Sequence, residues 1–543
     1  MWLKQKKINW IFIGEVGLIL FFAFLPLFLK FPYRLNIYLT WEGAYRMSIG
    51  QIPYKDFGLP MGFGFWLIPA TFLKIFGPAM INLVKAQAFI NILAGFSFFA
   101  ILKTLDIKKE IRFLSLLIFC LSYTFFNFWP WYNHTVIVFQ LISIAFVLAA
   151  IFNNRWKAGK LAIAALFIFL SIFTKQDGGG LGFLIIVALL IYHSIVEKEI
   201  KTIGIFLACT VGIAVIFILP FINYDFFYWF NYGQEPHNSR ISFFDIISTF
   251  FSQSKWEKFY LLIMFLLLLM KAKDFKSFFF NKKEFVHFLL TLGIMVQAII
   301  YQVTSYVPAD NNIFFHAFAF AYIFSNLPLN LNVKPSISLG LLSILIFFWW
   351  SEKFWVYGER IVKRVLPQNE TSENSISINT WYTKSSDDQS GRNENQWVFS
   401  DAPVFKNIYM PQETVDGIRK IKSLDLWSRK DVKVLNMSEL TPLAVELNYD
   451  LPKQPLWFHK GVCVFDKEVK EFCENIVVGY YDLVLFEDIP LLNNFYPYEV
   501  QDCLKQNYHL FDIFLAPRRG GGIGYIEVYI KKTPGDSDAV AIN

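Results

Sequence analysis

The chain has 543 residues, of which 55% are hydrophobic, 19% aromatic and only 17% charged, well under the roughly 25% charge of a soluble globular domain. That balance excludes a soluble enzyme and predicts an α-helical polytopic membrane protein. The net charge of +7 does not point to nucleic acid, because the Lys and Arg residues are scattered through short loops instead of forming one basic face.

The first apolar run, residues 9 to 30, follows Lys4, Lys6 and Lys7 and lacks a small-x-small cleavage site. It reads as a retained anchor with a cytoplasmic amino terminus. Further spans are predicted near residues 80 to 103, 112 to 128, 135 to 152, 160 to 174, 181 to 197, 203 to 222, 257 to 271, 285 to 303, 312 to 327 and 336 to 351. These make about eleven, each near the length that crosses a ~30 Å hydrocarbon core as a helix. Phe63 to Phe76 is short and bracketed by Gly62 and Gly77-Pro78, which suits an interfacial or re-entrant helix.

With that segment left out of the count, Lys103, Lys108, Lys109, Arg112, Arg155, Lys157, Lys160, Lys198, Lys201, Lys271, Lys273, Lys276, Lys282 and Lys283 share one side. The loops at 129–134 and 305–312 on the other side carry no Lys or Arg. The positive-inside rule then places the first loop, residues 31–79, and the long tail on the extracytoplasmic side, with the protein in the inner (plasma) membrane.

The outer side also collects the residues that could do chemistry. Thr40-Trp41-Glu42-Gly43-Ala44-Tyr45 and Ile52-Pro53-Tyr54-Lys55-Asp56-Phe57 put two acids in one aromatic-rich loop, with Tyr54 and Lys55 as candidate substrate contacts. An acid at the lipid boundary is costly to desolvate and is usually retained for a task. Glu42 or Asp56 could take a proton from an acceptor hydroxyl, or hold a divalent metal; the plainer reading is a pair of solvated loop acids.

Asn127-Phe128-Trp129-Pro130-Trp131-Tyr132-Asn133-His134 would line a pocket in which a sugar stacks on Trp131 and Tyr132 while Asn133 and His134 bond its hydroxyls. An aromatic belt would account for the same rings. Phe173-Thr174-Lys175-Gln176-Asp177 followed by three glycines offers a close backbone approach, a helix start that favours an anion, and Lys175 as a point charge for phosphate. The alternative there is a tight turn with Lys175 paired to Asp177. Arg240 is a second phosphate candidate, and His237 and His316 are candidate metal ligands, although no metal-motif spacing links them.

The tail divides into a linker, 352–396, and an α/β unit, 397–543. Strands are predicted at Val432 to Asn436, Tyr481 to Phe486 and Ile523 to Lys531, and helices at Glu413 to Ser423 and Val500 to Gln506. Cys120 and Cys209 read as buried hydrophobes within spans. If the tail faces an oxidising compartment, Cys463 with Cys473 is the expected bridge.

At Glu42 and at Pro53-Tyr54-Lys55-Asp56-Phe57 the sequence resembles bacterial GT-C superfamily glycosyltransferases, which include protein O-mannosyltransferases and lipid A aminoarabinose transferases. The likeness extends loosely over the membrane region, including the Lys-Gln element at Lys175. It departs at Trp41, where the family pattern has an acid, so Glu42 or Asp56 would have to act as base. The resemblance implies a polyprenyl-phosphate-linked sugar as donor, an envelope glycan, lipid or protein as acceptor, and an inverting transfer of a hexosyl or pentosyl unit. A surface-polysaccharide polymerase or ligase, or a non-catalytic lipid or sugar transporter, is the alternative reading.

Overall fold

The computed structural model describes residues 9–33, 37–230, 243–252, 254–271, 274–304, 314–327, a few between 337 and 343, and 397–460, 463–488, 496–517 and 524–532. The membrane part is a helical bundle made of α1 (Trp10–Phe24), α2 (Ile37–Ser48), α3 (Leu67–Phe76), α4 (Ile81–Thr104), α5 (Lys109–Ser122), α6 (Tyr132–Phe152), α7 (Lys157–Thr174), α8 (Gln176–Glu197), α9 (Lys201–Ile218), α10 (Phe243–Ser252), α11 (Lys255–Lys271), α12 (Lys282–Thr304) and α13 (Phe315–Asn326). Seven helices among the described residues are long and apolar enough to cross a membrane. Three further predicted spans are helical but shorter, namely α5 with 14 residues, α11 with 17 and α13 with 12. Most of the predicted last span, 336 to 351, lies outside the described residues. Phe63 to Phe76 forms a short helix, as its bracketing glycines lead one to expect.

The bundle has two unlike ends. At one, lysines pair across loops: Lys157 with Glu199 at 3.0 Å, Lys282 with Glu197 at 2.7 Å, and Lys283 with Asp106. Near it, the fully buried Glu15 of α1 receives Arg112 of α5 at 2.7 Å, a partner without which a buried charge would not persist.

The opposite end is where the first loop meets the tail. The tail contains β3 (Trp397–Phe399), β4 (Ile408–Pro411), α14 (Gln412–Lys422), β5 (Val434–Met437), β6 (Gln454–Pro455), α15 (Asp466–Val477), β7 (Leu483–Asp488), α16 (Tyr498–Asn507), β8 (Tyr508–Leu515) and β9 (Tyr525–Lys531). Its four-stranded sheet has the order β5-β7-β9-β8, with β5 parallel to β7 and the other pairs antiparallel. β5 is buried throughout and β7 for five of its six residues, as strands covered on both faces are. Two two-residue strands of the first loop, β1 (Phe31–Pro32) and β2 (Phe57–Gly58), add in parallel to β4 and β6. First loop and tail therefore share one end of the molecule and one set of hydrogen bonds.

The expected Cys463–Cys473 bridge is replaced by Cys473–Cys503, which joins α15 to α16 with Cα atoms 5.7 Å apart, while Cys463 is a buried free thiol. Connectivity of this kind depends on how two helices pack and is not readable from cysteine spacing.

Candidate functional site

α2 carries the first acid. Its apolar face, with Trp41 fully buried, packs inward, and Trp41 Nε1 donates to Pro78 O at 2.7 Å. Gly43 leaves room for Trp66, whose ring atoms would lie about 2.1 Å from an added Cβ. One turn on, Glu42 meets Arg46. Arg46 Nε and Nη2 donate to Glu42 Oε1 at 2.9 and 2.8 Å, and both residues are 0% exposed.

The second oxygen of Glu42, Oε2, completes no hydrogen bond among the described residues, with Gln454 and Thr441 of the tail beside it. Arg46 Nη1 reaches on to Gln51 Oε1 at 2.8 Å and to Pro452 O at 2.9 Å. Burial pushes the Glu42 carboxyl above its ordinary range while Arg46 pulls it back. Glu42 is thus sealed under the tail.

Asp56 is placed differently. It is half-buried, and its Oδ2 accepts Ile52 N at 2.7 Å, closing the turn Ile52 to Asp56. Lys55 beside it is exposed, 5.7 Å from the centre of the Tyr224 ring. Tyr54, expected to contact substrate, is 2% exposed; its hydroxyl donates to Met61 O at 2.9 Å and its backbone is left-handed at φ 65°. Its part is to hold the turn that presents Lys55 and Asp56.

The aromatic segment and the Lys-Gln-Asp turn come together, as the sugar-and-phosphate reading requires. Lys175, in the break between α7 and α8, lies 5.5 Å from the centre of the Tyr132 ring and 4.9 Å from that of Tyr301. Trp131 and Tyr132 have ring centres 4.0 Å apart, and the Tyr301 hydroxyl donates to Asn133 O and Oδ1 at 3.3 Å. Trp131, Tyr132, Asn133, His134, Lys175, Gln176 and Asp177 are all half-buried. His134 accepts Tyr123 OH through its carbonyl at 2.6 Å. The first loop reaches this place too: Thr40 Oγ1 donates to Pro130 O at 2.7 Å, and Phe65 meets Tyr132 with ring centres 5.8 Å apart.

Two details modify the expected phosphate cradle. Lys175 Nζ does pair with Asp177, at 3.5 Å, and Asp177 Oδ1 already takes Gly178 N at 2.7 Å. Gly178 and Gly179 face protein: an added Cβ would lie 2.9 Å from the Tyr301 ring at Gly178 and 2.3 Å from Ile172 N at Gly179. These glycines let α8 start tightly against α7 and α12. The donors that remain come from side chains. Gln176 Nε2 and Thr174 Oγ1 are buried and make no hydrogen bond among the described residues, on either side of Lys175.

His237 and Arg240 lie outside the described residues. His316 has its Nδ1 2.9 Å from the Tyr260 hydroxyl, and no group of three metal-ligating side chains occurs among the described residues. Sequence reasoning missed Arg46, although its i, i+4 spacing from Glu42 was a signal. It also missed Tyr301, inside an apolar span. A third omission is a small recess of about 20 Å³ between Tyr38 of α2 and the tail, lined by Glu439, Trp457, His459, Glu487 and Tyr496.

No family model and no curated protein matches the sequence. The apo crystal structure of ArnT from Cupriavidus metallidurans aligns with a TM-score of 0.51 at 11% identity, covering 96% of this chain and 98% of that one. The chain has the fold of ArnT. A second crystal structure of the same protein, bound to undecaprenyl phosphate, aligns over the same shares at 12% identity and a TM-score of 0.49. ArnT is a lipid A aminoarabinose transferase of the GT-C fold, so the resemblance carried by the first-loop motifs holds at the level of architecture. The ArnT-like chain places a strand-containing domain over the first loop at one end of a polytopic helical bundle.

Proposed function

We propose that this protein is a membrane glycosyltransferase that moves a sugar from a polyprenyl-phosphate carrier to an envelope acceptor at the outer leaflet. The observation that carries the reading is the meeting of Lys175 with Tyr132 and Tyr301, with Trp131 against Tyr132, at the end of an ArnT-like bundle that also holds the first loop. ArnT itself is a protein that binds undecaprenyl phosphate. The lysine-rich loops at the far end support an orientation with that end in the cytoplasm, and the Cys473–Cys503 bridge agrees with an oxidising compartment for the tail.

In this reading Lys175 neutralises the carrier phosphate as it becomes the leaving group, helped by the donors of Thr174 and Gln176. Tyr132 and Trp131 offer ring faces to the sugar. Asp56 is the better-supported base of the two first-loop acids, because it is only half-buried whereas Glu42 is sealed against Arg46. It would take the acceptor hydroxyl's proton as that oxygen attacks the anomeric carbon and the phosphate departs, which inverts the configuration. Glu42 with Arg46 then holds the loop to the tail.

The test is reconstitution of the purified protein in liposomes with polyprenyl-phosphate sugars extracted from the native envelope, scored by mass spectrometry for a new glycosidic product. Product formation that is lost in D56N and K175A supports the reading. Movement of the labelled lipid across the bilayer with no new bond would replace it with a transporter.

A further inference from the structure

Directly beneath the Lys175 turn, inside the bundle, two glutamines face each other. Gln140 of α6 and Gln297 of α12 are 0% and 1% exposed, and exchange a reciprocal pair of amide hydrogen bonds: Gln140 Nε2 to Gln297 Oε1 at 2.7 Å and Gln297 Nε2 to Gln140 Oε1 at 2.6 Å. Two primary amides closed in this way leave one N–H on each nitrogen. Gln297 uses its spare donor on Gly178 O, at 3.1 Å, in the first turn of α8.

The surrounding residues accommodate this arrangement. Gly182 of α8 lies against Gln140: a Cβ added there would sit 2.6 Å from the amide carbon. One turn of α12 beyond Gln297, Tyr301 lies under Lys175 and bonds Asn133 of α6. α6, α8 and α12 are therefore joined at two levels, the glutamine pair below and the Tyr301–Asn133 contact above, with Lys175 on top.

Interhelical hydrogen bonds in membrane bundles often serve only to hold helices together. The bond to Gly178 O is different in kind, because it fixes backbone three residues from Lys175 in a turn where the α7-to-α8 chain is interrupted. We infer that Gln297, through its amide bond to Gly178 O, is a positioning residue that sets the height and direction of Lys175 for a phosphate-bearing lipid. This rests on the reading that Lys175 contacts phosphate, and it adds a part of the binding machinery buried well below the ligand.

Two isosteric substitutions separate positioning from helix adhesion. In Gln140→Glu a protonated carboxyl can still donate one bond and accept one, so the pair and the bond to Gly178 O both survive. In Gln297→Glu the single O–H must serve two acceptors, and one bond is lost. Binding of undecaprenyl phosphate to the full chain in nanodiscs should weaken about threefold to tenfold in Q297E, the equivalent of one interhelical hydrogen bond in a bilayer. Q140E should stay within about twofold of the wild type by the same measure. Hydrogen exchange across residues 175–180, read without any lipid, should speed up in Q297E and not in Q140E.

Equal behaviour of the two variants in exchange, whether both loose or both unchanged, overturns the positioning role. So does a larger effect in Q140E. Lys175→Ala is the control that separates this failure from that of the phosphate reading. If K175A binds undecaprenyl phosphate as the wild type does, the phosphate reading falls whatever the glutamines do. If K175A weakens binding and Q297E does not, the phosphate reading stands and the strut falls.

Discussion

Glu42 and Lys175 are both charged residues near the same end of the bundle, yet their surroundings are opposite. Glu42 is enclosed, bonded through one oxygen to Arg46, with Gln454 and Thr441 of the tail beside the other. Lys175 is half-buried among ring faces, with a loose 3.5 Å partner in Asp177. A buried, well-bonded pair resists change and organises backbone; a half-open cation over aromatic rings can exchange its partner for a ligand. In the proposed function, the difference gives architecture to the first acid and binding to the lysine.

The largest effect should come from the closed region. Arg46→Met leaves Glu42 buried without its partner, a change that costs about 3–5 kcal/mol in comparable pairs. Thermal unfolding in detergent and proteolysis at the first-loop junction should both show the loss. An R46M protein as stable as the wild type would break the contrast between the two regions.

Next in size is the tail's own clamp. Removing the Cys473–Cys503 bridge, whose partners are 30 residues apart, should lower the tail's stability by about 3 kcal/mol. Differential hydrogen exchange should find the loss in α15, α16 and the strands, and leave the bundle's protection as it was.

Lys175→Ala should then weaken undecaprenyl phosphate binding by about 1.5–3 kcal/mol, the range for a hydrogen bond to a charged group. Its melting temperature should hardly move, since its ion pair with Asp177 is partly exposed and long. Coincident losses of binding and stability would make Lys175 a structural residue like Glu42.

The smallest effect is a pH dependence with an uncommon sign. Burial raises the Glu42 carboxyl above its ordinary value of 4.5, so the folded state holds this proton more firmly than the unfolded one. Its contribution is fully present below about pH 4.5 and declines as pH rises through the raised value. Melting curves of wild type and Glu42→Gln, compared across that window, should show the wild type losing stability relative to the variant as pH increases. The reverse slope would mean that Arg46 outweighs burial.

Much of the fold was legible because hydrophobic runs long enough to span a bilayer leave few alternatives, and every predicted span within the described residues is helical. β5, β7 and β9 of the tail were equally plain as apolar runs bounded by turn residues. β1 and β2 were not, because a two-residue strand has no pattern of its own and gains its hydrogen bonds from residues nearly 400 positions away. Lys175 and the Trp131–Tyr132 rings announced themselves through residue type. Arg46, Gln140, Gln297 and Tyr301 did not, since a lone polar residue in a helix shows its meaning only when the facing helix is known.

The most direct test of the central claim compares envelope lipids and glycans, by mass spectrometry, from cells carrying the wild-type gene and cells carrying the K175A gene. One defined sugar should disappear from a single acceptor in the variant while its polyprenyl-phosphate form accumulates. Identical acceptors and an unchanged carrier pool in the two strains would contradict it.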